Sequence, residues 1–163
     1  MKSLSVGITA LAAVCVLASG VAAQNEFEIS DYGARVGFSA NPDQFTVGAY
    51  AKLGELAPNL AMRPSVDFGF GDDAFTILGN ADIQYAFVTG ASFAPFVGGG
   101  IAIGYYSFDL PEGVDGDDSD TEIGLNIYGG LEFDLGGYKS AFVEARVGVD
   151  VPDFKLTGGI GFY

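Results

Sequence analysis

Nine charged side chains stand at alternate positions inside otherwise apolar segments of this chain: Arg35, Lys52, Arg63, Asp67, Asp82, Glu132, Glu144, Arg146 and Lys155. Carboxylates such as Glu132 and Glu144 have two uses in such company. They can exchange protons with a substrate, or they can neutralise Arg146 and Arg63 in a confined space. The chain has no histidine, which removes Ser-His-Asp chemistry and the commonest metal ligand. Nothing in the spacing outlines a substrate cleft, so the charge set is expected to be a structural network, with no catalytic residue and no cofactor. A second group, Asp115, Asp117, Asp118 and Asp120, presents oxygen ligands at near-alternate positions that would suit Ca²⁺. It lacks the late Glu of an EF-hand loop, and a solvated acidic loop is the simpler expectation.

The elements that must position these charges follow from a period of two. In the run Tyr32, Ala34, Val36, Phe38, Ala40 the intervening residues are Gly33, Arg35, Gly37 and Ser39. Only a strand sorts side chains this way. Eight such segments are expected, at residues 30–40, 44–54, 60–70, 74–87, 93–107, 122–133, 140–150 and 154–163. Each is long enough for a tilted membrane strand, which needs about 9 to 11 residues. Shifting the registers by one would turn all nine charges onto the apolar face, where a midplane Lys or Arg costs about 2–4 kcal/mol. Aromatics mark both strand ends: Phe38, Phe45, Phe68, Phe70, Phe75, Tyr105 and Phe154 at one, and Tyr32, Tyr85, Phe87, Phe93, Phe133 and Phe162 at the other. Such girdles belong at membrane interfaces.

Mean hydropathy is +0.33, yet no segment after the first two dozen residues is a continuous apolar run long enough for a spanning helix. Residues 1–23 read as a cleavable signal peptide: Lys2 begins it, an apolar run holds Cys15, and Val21-Ala22-Ala23 precedes the cut. A lipid anchor on Cys15 is the weaker reading, because the thiol lies inside that run. Residues 24–163 then form one domain without cysteine, holding six basic and 21 acidic residues. Such a balance argues against nucleic acid as a partner. The connections at 41–43, 71–73, 108–121 and 151–153 are assigned to the outside, with tight turns on the periplasmic side.

An ordinary soluble lipocalin-like barrel would also alternate, with its apolar face inward and its polar face in water. Here the polar face is rich in glycine, including Gly98, Gly100, Gly130, Gly148, Gly159 and Gly161, which suits a crowded narrow interior rather than a wet exterior. The expected fold is an all-β, eight-stranded antiparallel up-and-down transmembrane β-barrel.

Over residues 30–163 the strand pattern, the signal peptide and the aromatic terminus Leu156-Thr157-Gly158-Gly159-Ile160-Gly161-Phe162-Tyr163 resemble the small outer-membrane barrels of the OmpA and OmpX type, the opacity or porin-like family. The resemblance implies residence in the outer membrane of a Gram-negative envelope, contact with its lipid and lipopolysaccharide, and a terminal aromatic read by the barrel-assembly machinery. Phe162 belongs to the lipid-facing set and Tyr163 does not, so the assembly signal rests on this pair with an offset of one. Barrel enzymes of that family rely on histidine, which this chain lacks. The implied function is a structural or surface-interaction barrel with a filled lumen. The alternatives are a narrow channel for ions or small solutes, favoured by the Gly-rich inner face of residues 93–107, and a soluble periplasmic binding barrel.

Overall fold

The computed structural model describes residues 28–71, 74–108 and 119–163. The expected signal peptide at residues 1–23 lies outside them, as do Asp115, Asp117 and Asp118. Nine strand segments follow in chain order: β1 (Ile29–Ala40), β2 (Gln44–Ala57), β3 (Leu60–Met62), β4 (Ser65–Phe70), β5 (Ala74–Ala86), β6 (Phe93–Phe108), β7 (Ser119–Asp134), β8 (Lys139–Val149) and β9 (Phe154–Phe162). All pairings are antiparallel, and β1 pairs with both β2 and β9, so the sheet closes on itself. Closure leaves no open edge, which a spanning sheet cannot tolerate.

The barrel is the expected eight-stranded ring, with one correction. Residues 60–70 are not one unbroken strand: β3 and β4 both lie between β2 and β5, separated at Arg63-Pro64. Proline has no N–H to give to the ladder. Pairing continues across the break, since Arg63 N–H donates to the Asp82 carbonyl at 2.8 Å and Ala51 N–H to the Pro64 carbonyl at 3.1 Å. Opposite this break β2 is irregular between Leu53 and Ala57, with Gly54 at φ +51°.

One end of the barrel, the loop end, carries connections 41–43, 71–73, 109–118 and 150–153; the terminal end carries 58–59, 87–92 and 135–138. The long acidic connection is shorter than expected because β6 and β7 run on to Phe108 and back from Ser119. The turns of the terminal end are not uniformly tight: the six residues 87–92 are organised by Thr89, whose hydroxyl donates to the Phe93 carbonyl at 2.5 Å.

Side chains divide as the period of two requires. Val36, Phe38, Ile101, Leu125, Ile127, Val147 and Leu156 are more than half exposed, whereas Arg35, Arg63, Asp67, Asp82, Glu144, Arg146 and Lys155 are at most 3% exposed. Aromatics gather at both ends of the exterior, with Phe38 on Phe45 at 5.5 Å and Phe70 on Phe75 at 5.4 Å near the loop end, and Tyr32 on Phe162 at 6.1 Å and Tyr85 on Phe87 at 5.0 Å near the other. Between these girdles no outward residue is charged.

The interior glycines make room for rings. A Cβ on Gly159 would fall on the Phe142 ring, one on Gly98 on the Tyr128 ring, and one on Gly130 on the Phe96 ring. Gly159→Ala is therefore expected to lower stability by about 1–3 kcal/mol, the usual cost of overpacking. Urea titration of the folded barrel in detergent reads it; an unchanged midpoint would mean that Phe142 can swing aside.

Candidate functional site

The lumen brings together the charged side chains that alternate along the strands. Five strands of the ring deliver basic groups and five deliver acidic ones. Along β8 the inward positions are Ser140, Phe142, Glu144, Arg146 and Gly148; along β5 they are Thr76, Leu78, Asn80, Asp82 and Gln84. The alternation that exposes Val143, Ala145 and Val147 buries Glu144 and Arg146.

Three ion-pair groups fill the bore. At the terminal end Lys52 Nζ lies 2.6 Å from Glu132 and 3.1 Å from Asp31, and the Tyr50 hydroxyl donates to Asp31 at 3.2 Å. Deeper, Arg63 and Arg146 share Glu144: Arg63 Nη1 pairs with Oε2, and Arg146 Nη2 lies 3.0 Å from Oε1. Arg146 Nη1 also reaches Asp82 at 2.8 Å and donates to Asn126 Oδ1 at 2.9 Å and Asn80 Oδ1 at 3.2 Å. Beside them Asp67 accepts from Arg35, with Nε at 2.7 Å, and from Lys155. Every one of the nine sequence-identified charges is thus in an ion pair. Glu132, expected beside Arg146 and Arg63, instead serves Lys52, because the stagger of the strands sets it at the terminal end.

Asp31 is the charge that sequence reasoning missed. It shares the parity of Arg35 on β1 but precedes the alternating run that begins at Tyr32, and that parity was the available signal. With Asp31 included, the bore between the girdles holds five positive and five negative side chains. The acidic excess of the chain therefore lies outside it.

Arg63 occupies an aromatic box. Its guanidinium carbon is 4.6 Å from the Tyr50 and Phe142 ring centres, 5.5 Å from Phe96 and 5.8 Å from Tyr128. Desolvated cation–π contacts contribute about 2 kcal/mol or more. These four rings form a buried cluster across the bore. Their positions come from four different strands, so no local motif announces them.

At the loop end the rim is acidic. A cavity of about 380 Å³ is lined by Asn41, Pro42, Tyr106, Asp120, Glu122, Asp150, Val151 and Asp153, none of them basic. Asp120 stands on the rim; among the described residues no group of three or more acidic or sulfur side chains is arranged to hold a metal ion. At the opposite end Phe162 is outward, and Tyr163 meets Tyr138 edge to face at 6.4 Å and donates its hydroxyl to Asp134 at 3.0 Å. That hydrogen bond, which favours the protonated phenol, raises the Tyr163 pKa above its ordinary value.

No protein-family model matches the chain and no curated relative does. Solved structures do. The N-terminal β-barrel domain of Pseudomonas aeruginosa OprF aligns over 82% of this chain and 97% of that one, with a TM-score of 0.64 at 16% identity. Neisserial surface protein A aligns over 81% and 92%, with a TM-score of 0.60 at 18% identity. The chain has the fold of the small outer-membrane β-barrels. A designed transmembrane β-barrel shares this fold at 12% identity, over 81% of this chain and 92% of that one, with a TM-score of 0.57. Likeness at so low an identity is what a fold specified by alternation, rather than by particular residues, should produce.

Proposed function

We propose that this protein is an outer-membrane β-barrel with a structural or surface-interaction role, its lumen closed by paired charges and aromatic rings. The observation that carries this reading is the inverted distribution of polarity: the exterior between the girdles is uncharged, and ten charged side chains face one another inside. A soluble binding barrel needs the reverse, with an apolar cavity and charged groups in water. Eight strands enclose a bore about wide enough for side chains alone, and here Tyr50, Arg63, Phe96, Tyr128 and Phe142 span it.

The exterior would meet lipid and, in the outer leaflet, lipopolysaccharide; the acid-only rim would stand toward the medium. Phe162 and Tyr163 would serve as the signal for the barrel-assembly machinery. No histidine is available for the acyl-transfer or hydrolytic chemistry of enzymes, and Glu144 is already committed to two arginines.

Planar-bilayer recording of the purified barrel tests the closed lumen, and no openings of defined size are expected. Stable unitary openings would favour the narrow-channel reading instead. Recovery of the protein from the soluble periplasm, without the altered gel mobility of an unheated barrel, would overturn the membrane reading itself.

A further inference from the structure

The connection at residues 150–153 does not stand clear of the barrel. Asp150 turns the chain at φ +59°. Val151 is 7% exposed and packs with Leu78 and Ala102 in a small apolar cluster. Two neighbours are shaped to receive it, since a Cβ on Gly124 or on Gly148 would meet the Val151 methyl groups. Two hydrogen bonds hold the loop in this pose. Gly148 N–H donates to the Asp153 carbonyl at 3.2 Å. Asn41 Nδ2 donates to Asp153 Oδ2 at 2.7 Å, tying the loop to the turn between β1 and β2.

Val151 lines the floor of the acidic cavity at the loop end. On its other side, one inward position further along β5 and β7, are Asn80 and Asn126, both bonded to Arg146. Surface connections ordinarily stay in water, and burying an apolar residue from one inside the bore removes water from whatever lies beneath. Water reaching the Arg146–Asp82–Glu144 group would weaken its Coulomb attraction by raising the local dielectric.

We propose that residues 150–153 are a stopper: Val151 separates the rim cavity from the ion-pair network, and the Asn41–Asp153 hydrogen bond latches it. Release of the latch connects the cavity to the lumen. The stopper rests on the closed-lumen reading and places that closure at a specific residue.

Thiol labelling tests it in the full chain carrying Cys15→Ser, which leaves no native thiol. Leu78→Cys puts a reporter beneath Val151, and Asp120→Cys puts one on the exposed rim. Reactivity of a thiol toward a small charged methanethiosulfonate follows its access to water. The buried reporter is expected to react more slowly than the rim reporter by about tenfold or more, the ratio set by the population of open loop. Adding Val151→Gly or Asp153→Ala should move its rate toward that of the rim. Equal rates for the two reporters in the parent barrel would overturn the stopper. So would an unchanged slow rate with Asp153→Ala, which removes the acceptor of the latch at an exposed position and leaves the core intact. Bilayer recording separates this from the wider reading: fast labelling without conductance removes the stopper alone, whereas conductance from the unmodified barrel removes the closed lumen.

Discussion

Arg63→Ala is expected to lower the unfolding free energy of the barrel by about 3–5 kcal/mol, the cost of leaving a partner of a buried ion pair uncompensated. Glu144 would keep Arg146 at 3.0 Å but lose its second guanidinium. Tyr50, Phe96, Tyr128 and Phe142 would lose the cation they surround, and a hole would open in a bore with nothing else to fill it. Urea-induced unfolding in detergent, followed by the shift in gel mobility, measures the loss. The double variant Arg63→Met with Glu144→Gln is expected to be milder than Arg63→Ala, because it removes both unbalanced charges while keeping side-chain volume. A loss below about 1 kcal/mol for Arg63→Ala would place the pair in the range of solvated surface bridges and would mean that the bore is wet.

Ile127→Arg addresses the opposite face. Ile127 lies midway along β7, 70% exposed, between the girdle residue Phe133 and the loop end. In a bilayer this substitution should cost about 2–4 kcal/mol, the price of an arginine at the midplane. Were the exterior in water, an exposed site of this kind would tolerate the change within about 0.5 kcal/mol. Folding into lipid vesicles across a urea series distinguishes the two. Ile127→Arg as stable as the parent in vesicles would sink the membrane reading, whatever the fold. The two variants probe separate halves of one arrangement, since Arg63 depends on the bore being dry and Ile127 on the outside being lipid.

Much of the architecture is legible in the amino-acid sequence. Parity assigns Arg35, Arg63, Asp67, Asp82, Glu144, Arg146 and Lys155 inward, and all are buried. That success has a simple source: consecutive side chains of an extended chain point to opposite faces, so burial of one residue dictates the fate of its neighbours. The break at Arg63-Pro64 was hidden because its outward parity suits the strand, while the missing N–H disrupts pairing. Val151 was unreadable for another reason. Alternation ends at Asp150, where a left-handed φ reverses the chain, and beyond that point periodicity says nothing about direction.

Which charges meet was decided by three-dimensional structure. Glu144 and Arg146 are two residues apart on one strand, and their contact follows from local geometry. Arg63 and Glu144 are separated by 81 residues, and Lys155 and Asp67 by 88. Their encounters depend on stagger accumulated around a closed ring and on the irregularity in β2, neither of which is encoded by a local repeat. From the amino-acid order alone come the two faces, the strand count and the absence of histidine chemistry, because these depend on parity and composition. The aromatic box around Arg63, the pairing of Glu132 with Lys52 and the seating of Val151 required the folded barrel, because only closure brings residues from distant strands to the same height in the bore.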